Sequence, residues 1–355
     1  MQPRIVFLVM SAVARPETVD QLAHALRPHV ALVHHDATQQ PGFRLRAPNV
    51  RWVPDPRRTG WADFGFVEGI FHSLRHALAN LDFDYLQLLS PSCLPIKPLA
   101  RFEAEVATGV DAHFDCLDLF GDRDVLMNVA YRAFTPQQSL RHRIARRATD
   151  IYFGDSTGRR DVAGIWLRSG GGRGVVPRAA GAFLRALARA SDGRLPFDAQ
   201  LRPCYGTAWF GARREIVAGM VGLFERPGVR EAFGRLRIPE EFMFPSMLTR
   251  LARTKGPMNH EHKRFQGART GIFDIGDRKL LLDSRAFFAR KFPDDPAAPI
   301  RRWVLAELLR GEPPMARIAV QPASHAGGCA AGRAPRAFAR GPDGRNAGGT
   351  RALGG

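Results

Sequence analysis

The strongest constraint on this chain is the rhythm of its first 120 residues. Short apolar runs, "RIVFLVM" (4–10), "HVALVHH" (29–35), "DYLQLLS" (84–90) and "AHFDCLDL" (112–119), are separated by helix-like patterns near 17–28, 66–80 and 97–109. Parallel strands cannot be joined by tight turns and need long crossovers, so this alternation predicts an α/β fold with a mostly parallel sheet and helices on its faces. In such sheets ligands bind at the carboxyl ends of the strands. Arg4, the run "IVFLVMSAVA" and the A-x-A at Ala12 to Ala14 also imitate a signal peptide. A first strand accounts for the same residues, because "PETVDQLAHALRP" and "VALVHHD" come next at strand-helix-strand spacing. No stretch approaches the ~18 apolar residues of a transmembrane helix.

At 355 residues the chain can bury a sizeable core, and 45% hydrophobic with 24% charged residues is ordinary for a globular protein. Beyond about 312 it becomes rich in Gly, Ala, Arg and Pro without apolar periodicity, which predicts a disordered tail over 312–355. The net charge of +18 would suit nucleic acid, an anionic membrane face or a polyanionic substrate. Only five of the 52 basic residues are lysine, however, and this Arg-heavy usage points to compositional bias. Cys93, Cys116, Cys204 and Cys329 show no CxxC spacing and read as reduced thiols of a cytoplasmic protein.

From about 125 to 175 the pattern loosens into "SLRHRIARRATD" and the glycine cluster "RSGGGRG", which fits neither GxGxxG nor a P-loop. An amphipathic helix is predicted over 176–192, then a short strand turning directly into a helix in "YGTAWFGARREIV". In "IPEEFMFPSML" a helix beginning at Pro239 carries two adjacent carboxylates, Glu240 and Glu241, into an apolar run. Neighbouring helical residues diverge by about 100°, so the two cannot face one pocket. Glu240 is expected on the solvent side, complementing the helix dipole.

Four separated segments carry a family resemblance: "VALVHHD" with "RTGWADFGFVEGIFHSLRHAL", "FDYLQLLSPSCLPIKPL", "YGTAWFGARREIV" with "IPEEFMFPSML", and "GDRKLLLDSRAFFARKF". In this order the chain resembles, over residues 4–310, the core-2/I-branching β-1,6-N-acetylglucosaminyltransferases and the related peptide O-xylosyltransferases, as a bacterial-type member. The resemblance implies a GT-A-like nucleotide-sugar-binding fold in a single domain, 1–311, with a nucleotide-binding half at 1–120 and an acceptor and catalytic half at 121–311. It also implies a UDP-sugar donor and inversion at the anomeric carbon.

Such a transfer needs a carboxylate to take the proton of the attacking hydroxyl and fixed charge to meet the departing diphosphate. The resemblance assigns the base to Glu241 and the diphosphate contacts to Lys291 and Arg269, with Arg290 beside them. It sets Val33, His35 and Asp36 beside the uridine, where Asp36 is a partner for base or ribose or else a structural turn residue. Trp61, Gly206 and Trp209 border the sugar, with core packing the alternative for both tryptophans. Where the family has Asp, this chain has Cys93. Asp82 and Asp84 precede their strand and lie at the wrong edge for a metal, and "GDRD" at 121–124 is a residual metal candidate. His34 and His35 point to opposite faces and would not share an ion.

Together these residues imply a metal-independent inverting transferase without a cofactor beyond its UDP-sugar. Such an enzyme would move GlcNAc to a carbohydrate acceptor in the cytoplasm, peripherally at the inner membrane face. Xylosyl transfer to a peptide serine is the alternative within the family. A non-catalytic polyanion-binding protein is the alternative outside it, and no nucleic-acid partner is expected.

Overall fold

Every residue of Ile5–Ser11 (β1) is buried, which requires cover on both faces of the strand. Side chains alternate along a strand, and here the two sets enter different cores. Val6, Leu8 and Met10 pack with Phe71, Phe210 and Phe244, whereas Ile5, Phe7 and Val9 pack with Phe102, Phe288 and Phe292. A continuous apolar run, without polar alternation, is what a strand buried on both faces demands.

The computed structural model describes residues 2–60, 63–118, 140–154, 159–162, 165–168, 171–192, 197, 200–234, 236, 238–263, 265–266 and 269–309. Residues 1–312 cluster as one compact unit. The tail expected at 312–355 and the candidate at 121–124 lie outside the described residues.

After β1 come Val30–His35 (β2), Val50–Trp52 (β3), Tyr85–Leu89 (β4), Leu94–Pro95 (β5), Ala112–His113 (β6) and Leu117–Asp118 (β7). Two hairpin strands, Arg159–Val162 (β8) and Ile165–Arg168 (β9), are followed by Cys204–Tyr205 (β10), Gly211–Arg213 (β11) and Lys255–Gly256 (β12). His260–His262 (β13), Phe265–Gln266 (β14), Arg269–Thr270 (β15) and Phe288–Arg290 (β16) complete the described strands. The main sheet has seven strands in the order β3-β2-β1-β4-β11-β6-β12. All run parallel except β11, which is antiparallel to both its neighbours. Helices Pro16–Ala25, Phe64–Asn80, Leu99–Ala107, Arg214–Phe224 and Glu240–Leu251 flank it. This is the α/β architecture that the alternation predicts.

Local chemistry sets the helix starts. Pro16 opens its helix, and the Asp63 side chain caps Phe64–Asn80 by accepting the Gly65 N–H at 3.1 Å. The run expected as one strand at 112–119 is instead two short ones. β6 joins the main sheet and β7 pairs with β10, so the residues between them turn off the sheet at its carboxyl edge.

The antiparallel β11 does most to shape the carboxyl edge. It is inserted between β4 and β6 and brings Trp209 and Phe210, just ahead of it, to the carboxyl end of β4, where the Leu88 N–H donates to the Phe210 carbonyl at 2.9 Å. A small sheet, β13-β16-β5, continues from the same edge and pairs His260 with Phe288 and His262 with Arg290. Cys93, Cys116 and Cys204 are free thiols. The Phe7 ring lies 5.7 Å from Phe288 and 6.2 Å from Phe102. Phe7→Ala is therefore expected to lower stability by about 3–5 kcal/mol, read as a shifted urea midpoint with unchanged slope.

Candidate functional site

A proline inside a helix removes one donor and leaves the carbonyl four residues back without its helical partner. Pro245 does this in Glu240–Leu251, and the carbonyl left over is that of Glu241. Gly206, the residue after β10, takes the acceptor: its N–H donates to the Glu241 carbonyl at 2.8 Å. Only glycine fits there, because a Cβ would overlap the Asp115 carbonyl oxygen and stand 2.8 Å from Pro245 Cγ. The same joint sets Tyr205 beside the helix start, where its hydroxyl donates to Glu241 Oε2 at 2.9 Å.

The expected roles of the two glutamates divide differently in space. Glu241 is half-buried, but Glu240 does not face solvent: it is 9% exposed. The reason is packing, since Phe242, Met243 and Phe244 in the same first turns are all buried and the partly open side of the helix start falls to Glu241.

The loop 206–210 carries the site from Glu241 to a cation. Trp209 is 7% exposed, and the Arg290 guanidinium carbon sits 4.2 Å from the centre of its ring. The Arg290 Nε is buried and has no hydrogen-bond partner among the described residues. Burial pulls the Arg290 pKa down, with Cys93 acting in the opposite direction. A guanidinium with an orphaned N–H is a ready receiver for an anion. Lys291 comes next, at the end of β16, half-buried, and its charge reaches His262. Arg269 enters through its backbone alone, in the β14–β15 pair, and Trp61 lies outside the described residues.

Beyond the carboxyl ends of β6 and β12 opens a cleft of about 500 Å³ lined by Asp115, Lys255, His260, Glu261, His262 and Arg285 among others. Asp115 is 5% exposed, and its Oδ2 has no hydrogen-bond partner among the described residues. Burial pushes its carboxyl up to about 7, Lys255 opposing and Cys116 adding to the rise. His260 bonds through Nδ1 to Asn259 Oδ1 at 3.2 Å, Asn259 donates to Gln87 Oε1 at 2.6 Å, and Gln87 donates to the Phe210 carbonyl at 2.9 Å. With Nδ1 donating in this relay, Nε2 of neutral His260 is left as an acceptor, and it too lacks a partner among the described residues. Burial holds His260 well below its usual range, and burial followed by Arg290 lowers His262 to about 3. Orphaned polar atoms on one cleft wall call for a polar ligand or water.

Val33, His35 and Asp36 lie elsewhere, at the end of β2, three strands from β11 or ~14 Å at the usual strand spacing. Val33 is a core residue with no exposed surface. His35 is held between Ser11 Oγ at 3.2 Å and the Gln40 carbonyl at 2.8 Å and stacks on Phe43. His34 accepts the Arg57 N–H at 2.9 Å through Nε2, so the two histidines serve separate partners. Asp36 accepts five hydrogen bonds, from the N–H and hydroxyl of both Thr38 and Thr59 and from Gln39. Burial opposes its ionisation, yet these donors hold the carboxyl well below the usual carboxylate range. In this structure Asp36 ties the loop after β2 to the segment ahead of Phe64–Asn80.

Asp82 and Asp84 sit at the amino edge, as their position ahead of β4 implies, and both engage Arg4. Among the described residues, no three His, Cys, Asp or Glu side chains group as a metal-ligand set. Sequence reasoning passed over Asp115, Lys255, His260, His262 and Arg285. Asp115 had a usable signal, a carboxylate two residues past a strand at the ligand-binding edge; the others lie in segments whose pairing is long-range.

Gly206→Ala is expected to cost about 2–3 kcal/mol in urea unfolding and to shift the Tyr205 environment. Asp115 keeps its proton in the fold after an unfolded chain has lost it, so it makes stability fall as pH rises from about 4 to about 7. Asp115→Asn should remove that fall, gaining on the order of 2–4 kcal/mol on wild type at pH 8 relative to pH 4, as measured by urea midpoints.

A scan against protein-family models finds no match, and a search of curated proteins finds none either. Among solved structures the chain is similar to CMP:2-keto-3-deoxy-manno-octonic acid synthetase complexed with CTP, with 10% identity and a TM-score of 0.30 over 72% of this chain and 90% of that one. It is also similar to the apo WbbM bifunctional glycosyltransferase, with 6% identity and a TM-score of 0.34 over 88% of this chain. The chain spans about half the length of that enzyme, 52%.

Proposed function

We propose that the protein is an inverting, metal-independent glycosyltransferase that moves a sugar, GlcNAc in the first instance, from UDP to a hydroxyl of a carbohydrate acceptor. The observation that carries this reading is the joint between Glu241 and the loop 206–210: Gly206, first in the loop, bonds the Glu241 backbone, and Trp209 in the same loop carries the Arg290 guanidinium, whose Nε has no partner among the described residues. The resemblance in "IPEEFMFPSML" and "FFARKF" implies Glu241 as base and Lys291, the neighbour of Arg290, as a leaving-group contact.

In the proposed step Glu241 takes the proton of the acceptor hydroxyl as its oxygen attacks the anomeric carbon. The bond from that carbon to the diphosphate oxygen breaks, and UDP leaves with the electron pair. Arg290, with Lys291 and Arg269, meets the charge that grows on the diphosphate. Tyr205 holds the carboxylate in place through its hydroxyl. In the cleft, protonated Asp115 offers a donor and His260 Nε2 an acceptor, a pairing suited to the hydroxyls of a sugar. Trp209, already stacked by Arg290, belongs to the cation's support as much as to sugar contact.

Glu241→Gln is expected to lower transfer by about 10²–10⁴-fold while UDP affinity stays within about twofold. Turnover surviving within about tenfold overturns the assignment of the base. Running UDP-GlcNAc against UDP-xylose, each with and without EDTA, separates the two donors and tests metal independence in the same assay.

A further inference from the structure

Helices Leu140–Phe153 and Val175–Asp192 pack against each other through Ala148 and Leu184, with Tyr152 and Ala180 beside them. Gly181 makes room for the Tyr152 ring. Their outer sides are a different matter. At about 100° per residue, Val175, Ala179, Ala182 and Ala186 fall on one line opposite Leu184, with Val176 and Phe183 along one flank. Val175 is 84% exposed, Val176 64% and Phe183 42%. Arg178 and Arg185, both exposed, border the other flank. On the companion helix Leu140 and Ile144, 63% and 49% exposed, share the outer side with exposed Arg143 and Arg147.

An outer face of aliphatic and aromatic side chains is unusual for a helix that only meets water. The charge beside it is one-sided among the described side chains of this helix: Arg178 and Arg185 border the face, and no described carboxylate does. A second copy of this chain docking face to face would set arginine against arginine. Nucleic acid would use the arginines but gain nothing from Val175, Val176 and Phe183. An anionic lipid surface uses both, since aliphatic side chains enter the acyl boundary while arginines meet phosphate headgroups.

We propose that the outward face of Val175–Asp192, the side turned away from its companion helix, is an in-plane docking surface for an anionic phospholipid bilayer. No helix among the described residues is long and apolar enough to cross a membrane, so the contact is one of lying on the surface. The inference stands apart from the transferase reading, because none of these residues lines the cleft.

The test is flotation of the full chain with vesicles of phosphatidylcholine alone or mixed with phosphatidylglycerol, at low and high salt. Wild type should float with the anionic vesicles, less so at high salt, and stay behind with phosphatidylcholine. The triple variant V175D/V176D/F183D and the variant R178Q/R185Q should each lose binding by about tenfold or more, with unchanged circular dichroism and gel-filtration volume. The proposal is overturned if the triple variant floats as well as wild type, or if wild type does not float. It is also overturned if the aspartate variant instead disperses a wild-type dimer, or if RNA binding proves to be the only property the arginine variant loses.

Discussion

The hydrogen bond from Gly206 to the Glu241 carbonyl is the joint on which the geometry of the site depends. It exists because Pro245 cannot supply the helical donor, and it closes because Gly206 has no Cβ to hold Asp115 and Pro245 away. Three consequences share this one contact. The Glu241 carboxylate comes within reach of Tyr205, the loop to β11 is pinned at its first residue, and the backbone of Asp115 is pressed against the helix start.

The antiparallel β11 extends the effect across the sheet edge. By reversing direction next to β4 it presents Trp209 and Phe210 where a parallel strand would present its far end, and Gln87 then links Phe210 to Asn259 and His260. The buried polar relay Gln87–Asn259–His260 fixes a tautomer and leaves Nε2 as an acceptor without a partner among the described residues. Arg290, on the strand beside β13, pairs with His262 behind a cleft wall that His260, His262 and Asp115, with its raised pKa, line.

Much of the fold was legible in the residues. β1, β2, β4 and β6 and the helices between them track the apolar runs, since strands buried on both faces must be continuously apolar and their parallel pairing forces helical crossovers. The strand that turns directly into a helix at Gly211–Phe224 was legible too. Less of the site could be read. Glu241 was picked out by its place in a motif, but Glu240 looked solvent-facing because periodicity cannot reveal which sides of a first helical turn are covered. Asp36 could be read from its place at the end of β2 either as a ligand contact or as a structural turn residue, and the folded loop shows five donors on its carboxylate.

The sequence alone determined the alternating α/β order, the run of residues forming the central strand, and the helix that begins at Pro239 with two adjacent carboxylates. Those are local properties, set by side-chain polarity, ring closure and the period of each element. The tertiary structure decided that Gly206 donates to the Glu241 carbonyl, that β11 runs backwards between β4 and β6, and that Asp115, His260 and Arg290 meet around one edge. Those residues lie far apart in the chain, and their pairing depends on strand register and on which side chains lose their water together, which no local pattern encodes.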